Sequence, residues 1–134
     1  MLIYKNLKNL FEINFFGYFY GCQIALLKMK EQGNGVIINI NSTAGLDGKS
    51  GISAHCSSKF AIKGLTESIR KENQDTDIKI LGVFPGGMQT EIYKEKYPAD
   101  FEDYMKVDYA VEKVMANLKS ENPEIDFIIK RPSK

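Results

Sequence analysis

The stretch S-T-A-G-L-D-G-K-S-G-I-S-A-H-C-S-S-K, from Ser42 to Lys59, decides the fold. It lies between the apolar residues Val36, Ile37, Ile38 and Ile40 and a helix-like segment that begins near Ser53. A second apolar run, Ile78 to Phe84, follows that helix. Strand, helix and strand in this order predict a βαβ crossover with two parallel strands, adjacent or nearly so. Ser42 then follows the first strand, His55 and Lys59 fall in the first turns of the helix, and Pro85-Gly86-Gly87 follows the second strand. All three features gather at the carboxyl ends of the strands, where open parallel sheets bind ligands.

Outward from this unit, residues 4 to 31 predict one long helix. Leu7, Phe11, Asn14, Tyr18, Cys22, Ala25 and Met29 recur at steps of three and four. Leu10, Phe15, Phe16, Phe19 and Leu26 widen the apolar face, so the helix calls for burial on more than one side. Gly17 and Gly21 would admit close approach of another backbone, or simply mark tight packing. Gln32-Gly33-Asn34-Gly35 supplies the residues of a C-cap and turn.

Val36 to Asn41 reads as a strand covered on both faces. The helix from Ser53 to Asn73 carries small residues (Ala54, Ser57, Ser58, Ala61, Gly64, Ser68) beside Phe60, Leu65 and Ile69. Residues 89–106 lack a strong period, with short helical turns expected at Glu91-Ile92-Tyr93 and Phe101-Glu102-Asp103-Tyr104; the segment is a lid or a plain surface connection. Asp108 is expected to cap a helix bearing Val111, Val114, Met115 and Leu118, which Asn122-Pro123 stops. A last short strand follows, then a polar tail from Arg131 to Lys134. The expected architecture is α/β: strands 36–41, 78–84 and 126–130 with helices near 4–31, 53–73 and 108–121.

Length fits one domain over residues 1–134, small for a nucleotide-binding α/β enzyme. A 43% apolar and 26% charged composition is ordinary for a globular chain and argues against disorder. The net charge of +1 gives no reason to expect nucleic acid or an anionic membrane as partner. Cys22 and Cys56 have no metal-ligand spacing, and with no signal peptide ahead of them the expected compartment is the reducing cytoplasm. The apolar runs read as too short, and too interrupted by Lys and Glu, to span a bilayer.

Four pieces of this chain, in one order, resemble the short-chain dehydrogenase/reductase family. Ile13-Asn14-Phe15-Phe16-Gly17 is similar to that family's helix with a catalytic Asn. Gly35-Val-Ile-Ile-Asn-Ile-Asn-Ser42-Thr-Ala-Gly45 is similar to its central strand, which ends in the catalytic Ser. Ser57-Ser58-Lys59, with Ala61 and Gly64-Leu65 beyond, resembles the helix holding its Tyr-x-x-x-Lys pair. Pro85-Gly86-Gly87-Met88-Gln89-Thr90 resembles the Pro-Gly-x-x-x-Thr loop that touches nicotinamide.

The resemblance implies a doubly wound, Rossmann-like parallel sheet and NAD- or NADP-dependent interconversion of alcohols and ketones. In it Ser42 holds the substrate oxygen, position 55 exchanges the hydroxyl proton, and Asn14 supports a water in the proton relay. Lys59 lowers the pKa of position 55 and bonds the ribose, while Pro85, Gly86 and Thr90 contact the nicotinamide end. It also implies a two-fold interface through the helices matching 4–31 and 53–73, and hence a homo-oligomer.

Two departures qualify that expectation. The family's Thr-Gly-x-x-x-Gly-x-Gly loop, its selector of NAD or NADP and its Asn-Asn-Ala-Gly segment are missing from this sequence. The chain therefore reads as a carboxyl-terminal fragment, a split gene product or a truncated reading frame, with a separate amino-terminal half as an alternative partner. The first strand's edge, whose neighbour that half would supply, is expected to lie unpaired.

The catalytic Tyr is replaced by His55. Its ring nitrogen reaches roughly 2 Å less far than a phenol oxygen, and a misplacement of about 1 Å costs around a hundredfold. Each site residue also has a plain reading: Ser42 a polar strand end, Lys59 a solvated helix lysine, His55 a tolerated helix start. Likewise Asn14 is a satisfied core amide, Pro85-Gly86 a turn, and Thr90 the N-cap of a following helix. Two functions follow: an oxidoreductase half that is inactive as the isolated chain, or a non-catalytic interaction module retaining the family's dimerisation helices.

Overall fold

The computed structural model describes residues 6–91 and 97–132. Its three strands are β1 (Asn34–Ile40), β2 (Asp77–Pro85) and β3 (Asp126–Ile129), joined in the order β1-β2-β3. Both pairings are parallel, with Ile40 opposite Val83 and Pro85 opposite Ile129. All three expected strands are present, with ends shifted by one or two residues. Helix α3 (Ser53–Glu72) crosses from β1 to β2, and α4 (Val107–Lys119) from β2 to β3.

The expected helix over 4–31 is corrected in one respect. It is built from α1 (Leu7–Phe11), a π turn (Glu12–Phe16) and α2 (Gly17–Gln32), while residues 4 and 5 lie outside the described residues. Side-chain periodicity does not separate an i→i+5 turn from the α turns flanking it, so the sequence hid this segment. Gly33 ends α2 in the left-handed region, φ 83°, which favours glycine. The rod from Leu7 to Gln32 is long and apolar enough, by length and composition alone, to cross a membrane. This corrects the reading that every apolar run is too short; here the same surface packs partly on the sheet.

Alternation along the strands sets two apolar layers. Ile37, Ile78 and Ile80 face α2 and α3, where Cys22, Leu26, Met29, Leu65 and Ile69 meet them. Ile38, Val83, Phe127 and Ile129 face the other way, onto Ala110 and Val114 of α4. The two crossovers advance in the same direction across the sheet but place their helices on opposite faces, so they have opposite hands. Helices thus cover both faces, as a doubly wound sheet requires.

Polar ties lock the layers. Asn39, buried on β1, donates from Nδ2 to Thr66 Oγ1 at 2.9 Å and accepts from Cys22 Sγ at 3.5 Å, binding β1 to α3 and α2. Arg70 of α3 donates to the carbonyls of Ile80 and Ile125 and forks onto the Asp126 carboxylate, fixing β3.

Asp108 is not the N-cap expected for α4. Lys106, extended at φ −70° and ψ 149°, takes that position and leaves Asp108 in the first turn, where its charge faces the positive end of the helix dipole. The helix closes at Lys119, two residues sooner than expected. The residues 89–106 are tied at their base: Gln89 N donates to Met105 O at 3.0 Å and Met105 N to Gly87 O at 3.1 Å. Phe101–Asp103 form the expected short turn, whereas residues 92–96, with Ile92 and Tyr93, lie outside the described residues. Arg131 is more than tail: it pairs with Asp100 at 2.9 Å and lies over the Tyr104 ring.

Candidate functional site

The site forms where β1 ends. Ser42 leaves the strand in an extended conformation and caps the short turn Thr43–Gly45, its Oγ accepting from Ala44 N at 3.1 Å. The turn lies against α3, and Gly45 is required there. A Cβ at 45 would fall 2.8 Å from the carbonyl oxygen of Lys59 and 3.0 Å from Asn41 Oδ1. Asn41, buried, donates from Nδ2 to the same Lys59 carbonyl at 3.1 Å. Together these contacts seat the start of α3 beside Ser42.

His55 and Lys59 follow one helical turn apart on α3, on one face of the helix. Burial, then the charges of Lys59 and Lys49, push the His55 imidazole below its ordinary pKa. Burial also lowers the Lys59 ammonium. Lys49 reaches the site because its loop folds back on α3, its amide donating to Cys56 Sγ at 3.4 Å and its Nζ to Thr43 Oγ1 at 3.3 Å. His55 is therefore neutral near pH 7, a proton acceptor before it is a donor.

Pro85 closes β2 at the level of this turn, since Ile40 and Val83 are opposite one another two residues earlier. Gly86 donates its amide to Ile129 O at 3.0 Å, so this dipeptide also locks β3. Thr90 is half-buried, beyond the Met88–Met105 bridge and farther along the chain from the strand ends. Asn14 enters from the π turn, but its Nδ2 donates to Ser58 Oγ at 3.2 Å. Ser58 is fully buried and donates in turn to the His55 carbonyl at 2.8 Å. Asn14 thus braces the helix carrying His55 and Lys59. Among the described residues no hydrogen bond joins the side chains of Ser42, His55 and Lys59.

One site residue escaped the sequence reading. Tyr18, one turn beyond Asn14, places its ring 5.9 Å from the Lys59 ammonium and donates its hydroxyl to Ile40 O. Burial, and secondarily Cys22, raise its phenol pKa. The only sequence signal was an aromatic at the helical spacing from Asn14, which reads equally well as core packing.

The profile of the short chain dehydrogenase family matches residues 2–100. The chain is 35% identical over 83 residues to a 3-alpha-(or 20-beta)-hydroxysteroid dehydrogenase of Mycobacterium tuberculosis, covering 62% of this chain and 32% of that protein. It is 34% identical over 87 residues to an (S)-acetoin-forming diacetyl reductase of Staphylococcus aureus, covering 64% and 34%. A short-chain dehydrogenase from Sphingobium yanoikuyae, solved in complex with NADPH, superposes with a TM-score of 0.83 over 95% of this chain and 50% of its own, at 20% identity. The chain therefore spans about a third of the length of these two relatives and half that of the solved structure.

Proposed function

Because the chain belongs to the short-chain dehydrogenase family, we propose that it carries the substrate-handling half of an oxidoreductase site for alcohols and ketones and does not turn over alone. The observation that carries this reading is the seating of Ser42 beside the α3 turn that presents His55 and Lys59. Ser42 Oγ would hold a substrate oxygen, and Lys59 would supply positive charge close to position 55. Neutral His55 would take a proton from an alcohol more readily than give one to a ketone.

The described residues do not fit a whole nicotinamide dinucleotide. Lys59, Pro85, Gly86 and Thr90 could meet its nicotinamide end only, and the Lys59 ammonium faces the Tyr18 ring. The loop from β1 to α3 does carry Gly45, Gly48 and Gly51, but their spacing is not the G-x-G-x-x-G of the turn that holds a pyrophosphate. Calorimetric titration with NADH and NADPH, then hydride-transfer assays on a panel of alcohols and ketones, tests the reading. Micromolar affinity, or turnover lost in Ser42→Ala and Lys59→Ala, would overturn the proposed inactivity.

A second reading, an interaction module, is favoured by the groove between α2 and α3. It encloses about 550 Å³ and sets Phe15, Phe19 and Leu26 against Ala61, Gly64 and Ser68. Large side chains on one helix and small ones on the other suit a two-fold helical interface between two copies. A clean monomer in sedimentation at tens of micromolar, a working range set against ordinary affinities, would count against it.

A further inference from the structure

Three basic side chains converge where β1 hands over to α3. His55 and Lys59, both half-buried, share one face of α3 a turn apart. Lys49 joins them from the connecting loop, which folds back on the helix through its amide bond to Cys56 Sγ at 3.4 Å. Its Nζ reaches Thr43 Oγ1 at 3.3 Å, on the residue directly after Ser42. The two charges that act on the His55 imidazole, those of Lys59 and Lys49, are both positive.

This charge has no answering carboxylate. Asp47 is the only acidic residue between Ser42 and Lys59, and it is exposed. No ion pair among the described residues includes Lys49, Lys59 or Asp47. Like charges gathered around a half-buried imidazole add nothing to stability, but they hold an anion well. Every group in the cluster comes from the turn after β1, its loop or the first turns of α3. The cluster therefore owes nothing to what covers the edge of β1.

The two lysines divide between two partners. On the reading above, Lys59 meets the cofactor ribose and Ser42 holds the reacting oxygen of the substrate. Lys49 lies on the Ser42 side, at Thr43, so the anion it faces belongs to the substrate. Thr43 accepts from Lys49 and keeps its own hydroxyl proton to donate, and the Lys49 ammonium keeps two further N–H groups. An alcohol or ketone seated at Ser42 would meet both donors with a carboxylate a few bonds away.

We propose that Lys49 and Thr43 form a carboxylate-binding point, and that the substrate is a small hydroxy acid or keto acid with its reacting oxygen at Ser42. This substrate class rests on the substrate-handling role of Ser42 proposed above. Lys49 selects the substrate; it takes no part in moving the proton.

The single histidine of the chain is the probe. Lactate and β-hydroxybutyrate, which differ in the span from hydroxyl to carboxylate, are titrated into the full chain at low salt while the His55 ring is followed by NMR. Their methyl esters, butyrate and nicotinamide mononucleotide are titrated beside them. A carboxylate at Lys49 cancels a repulsion, so the imidazole pKa should rise with at least one of the acids and stay unchanged with its ester. Lys49→Gln should weaken binding of that acid by about tenfold or more, as loss of one charge-assisted hydrogen bond implies. Lys49→Arg should retain most of it. The loop keeps its main-chain bond to Cys56 in both variants.

Silence toward both acids, an equal response to acid and ester, or acid binding untouched by Lys49→Gln overturns the proposal. A Lys49→Gln loss confined to nicotinamide mononucleotide also overturns it and gives Lys49 to the cofactor. The role of Ser42 is read separately. The hydroxy acid should bind more tightly than butyrate, and Ser42→Ala should erase that preference. Butyrate bound equally well through Lys49 would keep the carboxylate point and overturn the role of Ser42.

Discussion

Asn41 Nδ2 donates to the main-chain carbonyl of Lys59 at 3.1 Å, and Gly45 lies against both groups. A methyl group at 45 would push on the carbonyl of α3, which cannot rotate away as a side chain could. Gly45→Ala should therefore cost about 1–3 kcal/mol, the usual penalty of overpacking. The readout is a lower urea midpoint at unchanged slope. A midpoint equal to that of the parent chain would show that the turn and α3 have slack between them.

Arg70 joins three parts of the fold through one guanidinium. Its Nε donates to Ile80 O at 2.8 Å, and its fork reaches Ile125 O and both oxygens of Asp126. The Asp126 side chain is 40% exposed, so the ion pair itself adds little and salt weakens it. The carbonyl bonds dominate. Arg70→Ala should lose about 1–3 kcal/mol, chiefly through Ile80 O, since Ile125 O still accepts from Gly82 N at 2.8 Å. Arg70→Lys should recover little, because an ammonium lacks the planar fork. The loss should persist in 1 M salt, where the Debye length is about 3 Å; a deficit that salt erases would return the main role to the ion pair.

The βαβ unit was legible because its three signals agree. Apolar runs at Val36–Ile40 and Ile78–Phe84 flank a 20-residue helix, and Gly33 and Pro85 punctuate them. Family resemblance and strand order then brought Ser42, His55 and Lys59 to one edge. What remained hidden depends on tertiary geometry. The π turn at Glu12–Phe16 leaves apolar spacing almost unchanged, and the opposite hand of the second crossover depends on which face Ala110 and Val114 select. The Asn14–Ser58 contact spans 44 residues and has no local signal. Asp108 misled because an acidic residue suits the first turn of a helix as well as its cap.

His55 should make stability fall as acid is added through a defined window. Its folded pKa is lowered below the ordinary value of about 6.5. As pH falls through 6.5 the unfolded chain binds a proton that the folded chain refuses, so the unfolded state gains. The loss begins near 6.5 and stops growing once pH passes the folded pKa. His55→Gln should flatten this part of the stability profile relative to the parent, while carboxylates such as Asp100, held down by Arg131, act at lower pH in both. Urea midpoints for the two proteins between pH 7.5 and 5 give the difference directly. An imidazole titration by NMR at or above 6.5 would contradict the burial argument.

Restoring the phenol should not restore the enzyme. His55→Tyr would extend the proton-handling group toward a substrate held at Ser42, on the helix face that already carries Lys59. The nicotinamide end could then be addressed by Lys59, Pro85, Gly86 and Thr90, but the sequence carries no G-x-G-x-x-G turn for the rest of a dinucleotide. Micromolar affinity corresponds to about −8 kcal/mol, and losing half of that leaves roughly millimolar binding. Tyr18 adds a local obstacle, because its ring covers the Lys59 ammonium that would bond the ribose. The single variant should therefore remain inactive at micromolar cofactor, and His55→Tyr with Tyr18→Ala should free Lys59 without supplying the missing contacts. Turnover is expected only when His55→Tyr is fused behind a glycine-rich amino-terminal half taken from a relative such as the diacetyl reductase, with wild-type His55 in the same fusion as control. Equal rates in the two fusions would show that neutral His55 already serves as the proton-handling group. Turnover by the unfused His55→Tyr chain would show that the cofactor needs less of the fold than these contacts indicate.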